Sequence, residues 1–100
     1  MADIKFQIDY DQIAPIEDSF YGMSEDIALL LDDLHKHVEN LRQSGWTGIG
    51  AEAFFYEMYS QIFPAIVALR DVLYSCSKLI DNAIEVYSAA EYEASRHLYK

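Results

Sequence analysis

Few side chains in this sequence belong to types that do chemistry, so their spacing decides what they can do. His35 and His37 stand two residues apart and would leave a helix on different sides. They lack the i, i+4 spacing that lets two imidazoles share a metal ion, and His97 lies far along the chain. Cys76 is the one cysteine, so no internal disulfide can form. It falls on an apolar stripe, the setting of a buried thiol rather than of a nucleophile, and an inter-subunit disulfide would require two copies to meet there. Asp32-Asp33, and Asp81 with Glu85, read as a solvated helix face. Gly45, Gly48 and Gly50 form a glycine cluster without the lysine or the preceding strand of a phosphate loop. The expectation is a non-enzyme with no metal, no cofactor and no small-molecule substrate.

The elements that position these residues follow from composition and period. The chain has 100 residues, of which 52% are hydrophobic, and a formal charge of −10. One small domain fits that length. So acidic a chain lacks the basic surface that nucleic acid or anionic lipid requires. It is also too apolar for a disordered acidic tail. The longest uncharged run near the middle, Met58 to Leu69, spans 12 residues and contains Ser60, Gln61 and Pro64. A membrane span needs roughly 20 apolar residues. The start of the chain has neither a basic region nor a continuous apolar stretch of the kind a cleavable leader carries.

The glycine cluster divides the chain into two arms with a helical period. In the first arm Ile13, Ile16, Phe20, Met23, Ile27, Leu30, Leu34 and Leu41 recur in steps of 3 and 4, then 7, with His37 at the skipped position and Val38 beside it. In the second arm the series runs Ala51, Phe55, Met58, Ile62, Ala65, Leu69, Val72, Cys76, Leu79, Ala83, Val86, Ala90. A second stripe runs beside it through Tyr59, Phe63, Ile66, Leu73, Ile80 and Tyr87. Such repeats are coiled-coil seams. The second arm is apolar over a wider face than one partner helix covers.

An all-α antiparallel hairpin follows, with helix 1 over about 10–44, a turn at 45–48 and helix 2 over about 49–95. Residues 1–9 alternate apolar and polar, as an extended segment does. Helix 1 starts either at a capping box of Asp9 and Gln12 or at Pro15. Thr47 is placed to cap helix 2, with Glu52 at its positive end. Gly22 is expected where helices approach closely, and Pro64 is expected to kink helix 2, since the 3,4 pattern continues in phase across it. Two hairpins packed into a four-helix bundle would cover the wide stripe.

The turn reads Ser44-Gly45-Trp46-Thr47-Gly48-Ile49-Gly50-Ala51. A lone Trp there can be a plug sealing the end of the bundle. Trp46-Thr47-Gly48 at mid-chain, between two long helices, also resembles the WXG family, the early-secreted-antigen-like proteins exported by type VII (Esx-type) secretion systems. Ala51, Ala53 and Phe54 are similar to the family's start of the second helix. Tyr87-Ser88-Ala89-Ala90-Glu91 resembles its C-terminal export motif, a Tyr followed four residues later by an acid.

The resemblance implies a secreted protein without a cleavable signal peptide, with Trp46 and Gly48 as the turn motif and Tyr87 and Glu91 as the export motif. It implies a homodimer, or a heterodimer with another WXG protein, read by a secretion ATPase. The family's export signal is composite, with the turn from one subunit and the tail from the other. Other readings are a carrier or chaperone subunit for a larger effector, a membrane-active protein, and an intracellular four-helix adaptor.

Overall fold

The computed structural model describes residues 10–98, and the side chains of residues 10–96. The extended segment expected at 1–9 and the capping role of Asp9 lie outside the described residues. Helix α1 spans Tyr10–Gln43, α2 spans Ile49–Glu57, a five-residue π-helical turn covers Met58–Ile62, and α3 spans Phe63–Leu98. No strand occurs among the described residues. The second arm is thus one continuous rod with a π-turn set into it, folded back along α1. Pro15 lies inside α1 rather than at its start.

The register of the hairpin is set by aromatic contacts along its length. Tyr10 meets Tyr87 edge-on with ring centroids 6.0 Å apart, and its hydroxyl lies 3.1 Å from that of Ser88. Tyr21 meets Tyr74 at 6.2 Å, and His35 lies over Phe63 at 4.9 Å. The Tyr59 hydroxyl donates to the Glu39 carboxylate at 2.8 Å, with the Arg42 guanidinium over its ring. Burial, the Glu39 hydrogen bond and the Glu39 charge together push the Tyr59 phenol above its usual range.

The tightest packing lies in the half of the rod next to the turn. Val38, Met58 and Phe63 form the buried cluster, flanked by Leu31, Leu34, Phe54, Phe55 and Tyr59. Further along, two serines lie among the apolar residues of the seam. Ser24 and Ser77 are buried, each donating its hydroxyl to a backbone carbonyl three residues back. That bond satisfies the hydroxyl inside its own helix, so neither serine costs the seam an unpaired polar group.

The structure corrects several expectations. On α1 the seam runs through Ile13, Phe20, Ser24, Ile27, Leu31, Leu34 and Val38, while Ile16, Met23, Leu30 and Leu41 are exposed. The skipped His37 is turned to solvent with Nδ1 against the Asp33 carbonyl, and its neighbour Val38, only 3% exposed, takes the seam. A Cβ on Gly22 would meet nothing within 4 Å, so no close helix approach explains that glycine. Thr47 does not cap α2; Gly48 holds the cap position, without a side-chain bond.

The second arm holds the largest difference. Its buried positions run Ala51, Met58, then Phe63, with Ile66, Leu73, Ser77, Ile80 and Tyr87 following on the same side. The step from Met58 to Phe63 is five residues, the hydrogen-bond span of a π-helix. The Phe63 N–H accordingly reaches the Met58 carbonyl. Pro64, just beyond, has no N–H to give, and in a plain helix its ring would clash with the carbonyl four residues earlier. The π-turn therefore moves the seam from the first apolar stripe to the second. Ile62, Leu69, Val72 and Leu79 lie exposed, whereas Phe55 and Met58 lie against α1. Cys76 is partly exposed on that outward stripe rather than buried in the seam.

Candidate functional site: the turn and the far end of the rod

The turn is built by two glycines and an aromatic cluster. Gly45, at φ +91°, follows the last residues of α1, where the Ser44 N–H reaches the carbonyls of Asn40 at 3.0 Å and Leu41 at 3.2 Å. Gly48 has φ +114° and ψ 178°, a backbone region that only glycine occupies without strain. Its carbonyl accepts the Glu52 N–H at 3.0 Å and so starts α2. The glycine of the Trp-x-Gly triplet is thus required by backbone conformation; a Cβ there would meet no neighbour within 4 Å.

The Trp46 ring packs on the first turns of the second arm, 5.4 Å from Phe54 and 5.6 Å from Phe55, which themselves meet at 5.5 Å. One side of the indole remains in solvent. Ile49 and Tyr56 also project into solvent at this end. The turn is therefore a rigid aromatic knob with apolar surface left over. Composition made Trp46 conspicuous, but its two phenylalanine partners could be found only by matching levels across the turn.

Tyr87 and Glu91 stand one helical turn apart on α3, so they share a face. Tyr87 is half-buried against Tyr10, and Glu91 is exposed. Along the rod they lie about 60 Å from the turn at about 1.5 Å per residue. One chain does not bring Trp46 and Tyr87 together. Tyr10, which holds Tyr87, carried no motif; its signal was only its level on the opposite arm. Beside Tyr87 an open apolar groove is lined by Leu79, Asn82, Ala83, Val86 and Ala90.

The dimer and core seam residues divide into two sets. Ile13, Phe20, Ile27, Leu34, Phe55 and Met58 face the intramolecular seam, while Ile16, Met23, Leu30, Leu41, Ile62, Leu69, Val72 and Leu79 are left to solvent. Among the described residues no group of three His, Cys, Asp or Glu side chains could hold a metal ion. No described helix is long and apolar enough to cross a membrane.

In comparison with known families, the model of WXG100, proteins of 100 residues with WXG, fits residues 5–92. No curated protein and no solved structure matches the chain. A match over that much of the sequence, centred on a turn whose glycine is demanded by its backbone, shows that the chain belongs to the WXG100 family.

Proposed function

We propose that this chain is a small type VII secretion substrate exported as a folded dimer of hairpins, with no enzymatic role. The family is known for small substrates of that secretion route, and the match over residues 5–92 carries the reading. The exposed stripes of α1 and α3 support a second hairpin completing a four-helix bundle. If two hairpins pack antiparallel, the Tyr87–Glu91 end of one subunit points toward the Trp46–Gly48 end of the other. A translocation ATPase would then read Tyr87 as an aromatic anchor and Glu91 as the charge that orients it, with Trp46 completing the neighbouring surface.

The test is secretion of Tyr87→Ala and Glu91→Ala from a host with a type VII system, with helicity measured in parallel. Export of both variants at the unmodified level would overturn the reading. The mass of the purified chain addresses its alternative. A helical species at twice 11.5 kDa supports the homodimer. A poorly folded chain supports a carrier subunit whose bundle is completed by another WXG protein or a larger effector.

A further inference from the structure

The second arm carries two parallel apolar stripes, and nothing in their composition says which should pack inside the hairpin. The π-turn decides. Before it, the first stripe meets the α1 cluster through Phe55 and Met58; after it, the second stripe does, from Phe63 to Tyr87. The remainder of the first stripe, from Ile62 to Ala90, turns outward. Its large members are exposed, with Leu79 at 68% and Val86 at 69%.

On the second arm the outward-stripe positions precede seam positions by one residue: Ile62 before Phe63, Val72 before Leu73, Leu79 before Ile80. The same holds on α1, where Met23 precedes Ser24 and Leu30 precedes Leu31. One residue is a rotation of about 100°. Two antiparallel helices turned in the same sense away from their seam expose the same flank, so both stripes lie on one side of the hairpin.

We infer that the π-turn at Met58–Ile62, with Pro64, is a phase-shifting device that reserves the Ile62–Ala90 stripe for a second copy of this chain. The inference rests on the dimer reading above. A second copy is the occupant for three reasons. The flank is two helices wide, as a second hairpin is. The charged residues of this α3 stretch, Arg70, Asp71, Lys78, Asp81 and Glu85, all lie off the stripe, so two α3 stripes can meet without like charges between them, while Asp26 and Asp33 mark the α1 edge of the flank. Along the stripe the large residues Ile62, Leu69, Val72, Leu79 and Val86 are interrupted by the small ones Ala65, Cys76, Ala83 and Ala90, so an antiparallel copy can set bulk against space.

Two length variants test the device, read by light scattering and circular dichroism. Deleting Gln61 together with Pro64→Ala removes the extra residue and the proline that opposes a plain helix. The phase on both sides is kept, and a helical dimer near 23 kDa, twice 11.5 kDa, is expected. Inserting one alanine after Gln61 swings the outward stripe into the seam and sends the second stripe to the other flank. A helical chain with at least tenfold weaker self-association is expected.

Wild-type-strength dimerisation of the helical insertion variant, or a monomeric deletion variant, overturns the inference. If the insertion loses its helical signal, Leu79→Glu decides: a helical monomer supports the inference, and an undiminished dimer overturns it. A monomeric wild-type chain overturns the dimer reading itself, which keeps the two failures apart.

Discussion

Phe63 and Leu79, both large and apolar on the second arm, should respond to truncation differently. Phe63 is 7% exposed, with its ring against His35 at 4.9 Å and Tyr59 at 5.3 Å and next to Val38 and Met58. Cutting a buried Phe to Ala costs about 3–5 kcal/mol in lost transfer energy and cavity. Small domains hold only about 5–15 kcal/mol in total, so Phe63→Ala should remove about a fifth or more of the hairpin's stability. Leu79 has most of its surface in water within one chain. Leu79→Ala should therefore cost the single hairpin less than about 1 kcal/mol, a small fraction of the full-burial value of about 2–5 kcal/mol.

The assay is urea unfolding followed by helical signal at several protein concentrations. Phe63→Ala should lower the midpoint at every concentration. Leu79→Ala should lower it mainly by shifting the concentration dependence, because what it weakens is the contact between chains. Had the first stripe stayed in phase through Pro64, Ile62, Leu69, Val72 and Leu79 would form the seam and the ranking would invert. A larger concentration-independent loss for Leu79→Ala than for Phe63→Ala would refute the phase slip.

Other outcomes follow from single positions. Gly48→Ala should cost about 1–3 kcal/mol through backbone strain alone, since space for the methyl is free; its thermal midpoint checks this. Gly22→Ala should raise stability by about 1 kcal/mol, because the new Cβ meets nothing and the helix gains propensity. Tyr59→Phe should cost about 1 kcal/mol at neutral pH through the lost bond to Glu39. The raised Tyr59 pKa adds a pH effect. Keeping the phenol neutral contributes stability that is complete below pH 10 and disappears as pH rises through the folded-state value. Alkaline unfolding should therefore be less steep in Tyr59→Phe than in the wild-type chain.

Much of the hairpin could be read from the chain, because two long 3,4 repeats flank a glycine cluster. The turn was legible for the same reason, and Gly48 has a backbone cause that the motif only marks. The phase of the second arm was not legible. Ile62, Leu69 and Leu79 are as apolar as Phe63, Leu73 and Ile80, so period alone could not rank the stripes, and the unbroken 3,4 spacing hid an inserted residue. Pro64 was the available signal, read as a bend rather than as a change of helical period. The repeat points at His37, whereas the neighbouring Val38 takes the seam. Thr47 had a capping side chain, but the Gly48 geometry took the cap position.

The uneven distribution of packing along the rod has a kinetic consequence. Val38, Met58 and Phe63 are brought together by closing a loop of about twenty-five residues, whereas Tyr10 and Tyr87 close one of 77. Contacts with short chain separation form first, and long closures wait for them. The hairpin should therefore zip from the turn outward and open from the other end, with amide protons near Tyr87 exchanging well before those near Phe63. The segment that carries Tyr87 and Glu91 is then the part of the hairpin that opens first, while the aromatic turn stays folded.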